Sequence, residues 1–161
     1  MKQVRDHNDN EHGFTLVELL VVVGIIGILI GIMIPTLLQA RVPAQDRQAQ
    51  NLLRNSLTAA KAVETSEGVS PTQGTLAVEE SAVSFVAAST TAPANHRNVS
   101  VANGMVGSQW YLIMTSHSTS GRCFALLEQP GTSPQFQRVD NATTCQADQF
   151  TAATGWAAAW P

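Results

Sequence analysis

Residues 14–40, FTLVELLVVVGIIGILIGIMIPTLLQA, constrain this chain more than any other feature, because these 27 residues carry a single charge, Glu18. As a helix they would extend roughly 40 Å, more than the ~30 Å hydrocarbon thickness of a bilayer. The segment is therefore long enough to span one. From Leu19 to Ile34 every residue is apolar or glycine. The preceding stretch, Met1 to Gly13, is polar and mixed in charge, with Lys2 and Arg5 set against Asp6, Asp9 and Glu11.

Two ordinary readings of such a segment are a secretory signal peptide and a plain membrane anchor. Leu38-Gln39-Ala40 is a loose small-residue cleavage site, but the leader is net acidic and the apolar run exceeds the ~7–15 residues of a signal peptide. For an anchor, charge does not set the orientation: Lys2 and Arg5 lie on one side, Arg41, Arg47 and Arg54 on the other. Glu18 separates these readings from a third. A carboxylate in a spanning helix costs a few kcal/mol at the bilayer centre and less near an interface, so it needs the surface or a partner. A cut between Gly13 and Phe14 would supply one, a new α-ammonium one helical turn before Glu18. That amine could meet Glu18 of its own helix or of a neighbouring chain. A helix N-terminus also favours a negative side chain in its first turns.

Gly24, Gly27 and Gly31 recur at three- and four-residue steps and share one helical face. Gly27-x-x-x-Gly31 is the small-residue spacing that lets helices approach closely in lipid. Glycine also weakens a helix by about 1 kcal/mol, and Pro35 removes a backbone donor, so residues 27–35 are easy to bend or unwind.

Gly13-Phe14-Thr15-Leu16-Val17-Glu18 followed by a long apolar run resembles the prepilin cleavage and methylation motif of type IV pilins, type II secretion pseudopilins and competence pseudopilins. The resemblance implies a 1–13 leader that prepilin peptidase removes on the cytoplasmic face after Gly13, and methylation of the new amine on Phe14. It implies that Glu18 pairs with the N-terminus of an adjacent subunit, and that the helix from Gly27 to Pro35 can stretch in a filament. The partners it implies are further copies of the chain in a helical filament, the membrane, the peptidase, and an inner-membrane assembly platform with its ATPase. The expected location is the cytoplasmic membrane before assembly and the cell surface after it.

From Ala44 the pattern turns amphipathic. Ala49, Leu53, Leu57, Ala60 and Val63 step by three or four along one face, with Arg47, Gln50, Arg54, Thr58 and Lys61 mainly off it. The spacing predicts a continuation of the helix over 41–66, kinked near Pro43, with two separate helices as the alternative. Gly68 and Pro71 would end it. Four strands are expected in the 67–161 head, at 82–88, 98–102, 109–116 and 122–128, the last two joined through Ser118-Thr119-Ser120-Gly121. The predicted class is α+β, a small antiparallel sheet on the amphipathic half-helix, and this also matches the pilin fold.

The two cysteines, Cys123 and Cys145, either pair or stand as separate buried thiols. Their even count and a membrane-targeted chain favour a disulfide, worth roughly 3 kcal/mol. They fall where many pilins carry a disulfide-closed C-terminal region. Trp156 and Trp160 would pack on the sheet, with an exposed patch as the alternative. Asn98-Val99-Ser100 and Asn141-Ala142-Thr143 are glycosylation sequons by pattern.

The net charge of −3 argues against nucleic acid as a direct partner. His7, His12, His96 and His117 have no second histidine or cysteine at a metal-ligand spacing. No nucleophile elbow, phosphate loop or HExxH occurs. Glu79-Glu80, the one adjacent acidic pair of the head, reads as solvated. No catalytic residue, metal or cofactor is expected. The expected role is a structural pilin. A minor pilin or pseudopilin of a secretion or DNA-uptake machine is the alternative, and a secreted or anchored binding module is a further one.

Overall fold

The computed structural model describes residues 13–91, 97–153 and 155–161. Residues 1–12 of the expected leader, with His7 and His12, and also His96, lie outside the described residues. The chain divides into two compact units, Met1–Ala40 and Arg41–Pro161.

The helical spacing is realised as α1, Leu16–Glu67, which continues through both Pro35 and Pro43 without a stop. It ends at Gly68, whose φ of +67° suits a residue without a Cβ and whose N–H donates to the Glu64 carbonyl at 3.0 Å. In the first unit every described side chain is exposed. In the second, α1 buries Asp46, Ala49, Leu52, Leu53, Ser56, Ala59, Ala60 and Val63, the repeating three- and four-residue steps of one face. A short α2, Gln73–Glu79, follows. Thr72 caps it reciprocally with Thr75, each side chain accepting from the other's backbone N–H. This helix was not anticipated, since seven residues are too few to show a period.

Five strands form one sheet in chain order: β1 (Ser84–Ala87), β2 (Asn98–Val106), β3 (Gln109–His117), β4 (Cys123–Glu128) and β5 (Gln135–Val139). The sheet is antiparallel, as expected, at every pairing but one edge. β1 runs parallel to β2, with Ser84 opposite Asn98 and Ala87 opposite Val101. The remaining pairs are antiparallel. β2 also runs past the expected Ala102. Asn103-Gly104 has turn composition, yet a Cβ on Gly104 would lie 2.6 Å from the Tyr111 hydroxyl, so the glycine is where the Tyr111 ring crosses the strand. β5, amphipathic and only half-buried, was likewise not foreseen.

Alternation sorts the sheet into two faces. Phe85, Val99, Val101, Leu112, Met114, Phe124 and Leu126 join the α1 residues in the main core. Ile113 and Leu127 point the other way, onto Ala147 of the short 3₁₀ turn Ala147–Gln149, with Tyr111, Phe150 and Trp156 around them. The C-terminal segment packs, as expected. Ala157 bridges Phe136 of β5 through two backbone bonds of 2.8 and 2.9 Å, and Trp160 meets the Phe124 ring edge-on at 5.2 Å. Helix plus mostly antiparallel sheet is an α+β, pilin-like architecture.

Candidate functional site

The site begins where α1 begins. Gly13, Phe14 and Thr15 precede the helix, and Glu18 sits in its first turn. Glu18 Oε2 accepts from the Thr15 amide at 3.1 Å and from the Thr15 hydroxyl at 3.0 Å, while the Glu18 amide donates to Thr15 Oγ1 at 3.2 Å. Thr15-x-x-Glu18 is thus a capping box. One carboxylate oxygen is committed to the cap, and Oε1 takes no hydrogen bond among the described residues. Thr15 was missed as a functional residue, although the T-x-x-E spacing carried the signal.

Beyond the cap the helix surface is apolar and open. Leu16, Val17, Leu19, Ile28, Ile32 and Met33 are among more than a dozen large apolar side chains left exposed there. A Cβ on Gly24, Gly27 or Gly31 would meet nothing within 4 Å. Pro35 lies within the same exposed stretch. α1 is long and apolar enough to cross a membrane. Contiguous apolar surface of this extent is rare on a free soluble protein and marks an interaction surface.

The second unit holds two charge clusters against α1. Asp46, only 7% exposed, accepts from Ser118 at 2.9 Å and also from Ser120 and Arg122. Arg122 reaches on to Asp140 at 3.0 Å. Burial opposes ionisation of Asp46, but the bonds from Ser120, Arg122 and Ser118, with the Arg122 charge, outweigh it and hold the carboxyl below its ordinary range. Sequence reasoning missed this cluster. Asp46, Ala49 and Leu53 continue the three- and four-residue apolar steps, so a charge on the core face was legible, but its partners were not. The second cluster joins Lys61 to Glu128 Oε1 at 3.1 Å, leaving Oε2 buried without a partner among the described residues. Burial raises the Glu128 carboxyl, Lys61 partly offsets this, and Glu64 adds to it.

Cys123 and Cys145 are joined in a disulfide, with Cα atoms 5.4 Å apart across 22 residues of sequence. It ties β4 to the segment that covers the second sheet face. An open cavity of about 490 Å³ lies beside it, lined by Gln137, Asn141, Thr144, Gln149 and Phe150 among others. Of the two sequons, Asn98 lies in β2 beside the buried Val99 and Ser100, whereas Asn141 is exposed with a φ of +53°. His117 ends β3. Among the described residues no group of His, Cys, Asp or Glu side chains is arranged to hold a metal ion.

No curated protein and no solved structure matches the chain. A family model does: residues 8–34 match the prokaryotic N-terminal methylation motif. The match spans Gly13, Phe14, Glu18 and the three glycines, and its family is one of structural subunits rather than enzymes. The chain therefore carries the class III leader of type IV pilin-like proteins, the motif shared by pilins and pseudopilins.

Proposed function

We propose that this chain is a structural pilin, cut by prepilin peptidase after Gly13, methylated on Phe14 and polymerised into a type IV surface filament. The observation that carries the reading is the fully exposed apolar half of α1, which begins at an N-terminal carboxylate with one uncommitted oxygen. Lipid covers that surface before assembly, and the same half-helices of neighbouring copies cover it afterwards. Each large apolar side chain so buried contributes roughly 1.5–3 kcal/mol, which is ample to hold a polymer without covalent links. Glu18 keeps its cap through Oε2 and offers Oε1 to the Phe14 ammonium of the next subunit. Gly24, Gly27 and Gly31 let helices approach, and Pro35 with Gly27 leaves a stretch that can yield. The implied machinery is the inner-membrane assembly platform and its ATPase.

The motif is equally that of minor pilins and pseudopilins, and copy number in purified filaments separates those from a major subunit. The reading is tested by the N-terminal sequence and intact mass of the membrane-extracted protein. A chain starting at Phe14 and heavier by one methyl group is expected; an unprocessed Met1 or a start at Arg41 would overturn it. Glu18→Ala should leave a processed, membrane-held monomer that assembles poorly. Normal filament yield from that variant would remove the role given to Glu18.

A further inference from the structure

The open cavity beside the disulfide is walled on one side by β5, at Gln137, and on the other by residues 141–151, including Asn141, Thr143, Phe150 and Thr151. That second wall is fastened at three points. The Ala142 amide donates to the Gly121 carbonyl at 2.8 Å, Cys145 is bonded to Cys123, and the Ala147 amide donates to Ser100 Oγ at 3.1 Å. The Gln149 side chain is spent inside the wall, donating to Thr144 Oγ1 at 2.7 Å and accepting from the Gln146 amide at 3.2 Å. The fold therefore holds the cavity open before any ligand arrives. Its volume of about 490 Å³ falls within the roughly 300–1,000 Å³ of small-molecule sites.

Among the described residues its lining carries no charged side chain. A phosphate, carboxylate or ammonium would lose water there without a counter-charge. Gln137, Asn141, Thr143 and Thr151 instead offer two amides and two hydroxyls, and none of these four side chains is hydrogen-bonded among the described residues. Amides and hydroxyls both donate and accept, which matches a ring of neighbouring hydroxyls, each of which does the same. Phe150 and Val139 add apolar surface for the C–H groups of such a ring. An extended peptide would need a free strand edge, and at β5 the Phe136 amide and carbonyl are both taken by Ala157.

A second observation points to the same chemistry. Asn141 and Thr143, both in the lining, are the first and third residues of the sequon Asn141-Ala142-Thr143, and both are exposed. Asn141 lies in a turn, outside any strand. The other sequon is closed to modification: Asn98 is in β2, and Ser100 is buried with its hydroxyl donating to the Ala87 carbonyl at 3.1 Å. We infer that this cavity seats a neutral saccharide, delivered either on Asn141 itself or as a free ligand. In the first case Asn141 Nδ2 bonds to C1 of a sugar carried on a lipid diphosphate. The C1–O bond to the carrier breaks, the lipid diphosphate leaves, and the amide gives up one proton. In both cases the sugar hydroxyls meet the same amides and hydroxyls, beside Phe150.

The test uses the protein extracted from membranes of its native host. Mass spectrometry of the peptide holding Asn141 reads the attached case; the expected result is a sugar mass that Thr143→Ala removes and Asn98→Gln leaves in place. Because the Thr143 hydroxyl makes no hydrogen bond among the described residues, that variant keeps the wall intact. Its amides from Gln149 to Thr151 should exchange hydrogen faster than those of the modified protein, and equal exchange would overturn the seating. If Asn141 is unmodified, the same protein is passed over immobilised glucose, galactose and N-acetylglucosamine, with sialic acid and glucuronate as charged counterparts. Retention on a neutral sugar is expected, weakened about fivefold by Gln137→Ala or by Thr151→Val. An unmodified Asn141 with no retention, or with retention on the charged sugars alone, would overturn the proposal.

Discussion

The two halves of α1 obey the same backbone rules and meet opposite fates. From Leu16 to Ala40 the helix is apolar on every side, and all its side chains are exposed. From Arg41 to Glu67 it is apolar on one side, and that side is buried, with Leu53 and Ala60 almost fully enclosed. A stripe can be satisfied by one partner surface, and the chain supplies it as the sheet face of Leu112, Met114, Phe124 and Leu126. An all-round apolar surface needs partners on every side. The head is thus a finished folding unit, while the first half of the helix exposes its apolar surface, which on the proposed function is covered by lipid or by other copies.

Truncating one leucine in each half is the sharpest way to break that comparison. Leu53→Ala should cost about 2–5 kcal/mol of head stability, the range for a buried leucine that leaves a cavity, seen as a lower melting temperature of the processed protein in detergent. Leu29→Ala, in the exposed half, should leave that melting temperature unchanged and act on filament yield alone. Equal losses from the two would mean that the first half is folded against the head, and the distinction would fail.

Charge gives a smaller contrast inside the head. Because the Asp46 carboxyl is held below its ordinary pKa, its stabilising contribution is present above the unfolded value of about 3.8 and is lost as pH falls through the folded one. Asp46→Asn should cost about 1–2 kcal/mol at neutral pH, discounted because Arg122 is 37% exposed. It should also flatten the acid limb of a stability-against-pH curve. Glu128 runs the other way: its raised pKa means that its contribution declines as pH rises above about 4.5. An acid limb unchanged by Asp46→Asn would show that the Arg122 network is not what makes the head acid-sensitive.

The smallest effect belongs to the start of the helix. Thr15→Val removes the hydroxyl half of the capping box, at a cost of about 1 kcal/mol locally. It should speed hydrogen exchange at the Val17 and Glu18 amides while the head amides of β3 and β4 keep their protection. Slower or unchanged exchange at Glu18 would show that the cap does not hold the first turn.

What could be read without a structure was local. The apolar run, the cleavage motif with Glu18, the stripe from Ala49 to Val63 and the strands around β3 and β4 each express a period or a spacing within a few residues. The cap of α1 was of the same kind and went unread, as T-x-x-E at residues 15–18. The parallel pairing of β1 could not be read, since alternation specifies a strand and not the direction of its neighbour. Nor could the identity of the partners of Asp46, because Ser118, Ser120 and Arg122 lie more than seventy residues away along the chain.

By itself, then, the sequence determined the N-terminal methylation motif around Gly13, Phe14 and Glu18, which half of the helix is left apolar all round, and which half carries a stripe, because short-range chemistry and helical periodicity are written residue by residue. The tertiary structure alone decided which sheet face meets that stripe and how the buried Asp46 is neutralised. Those outcomes depend on bringing distant segments together, and no local pattern encodes the pairing.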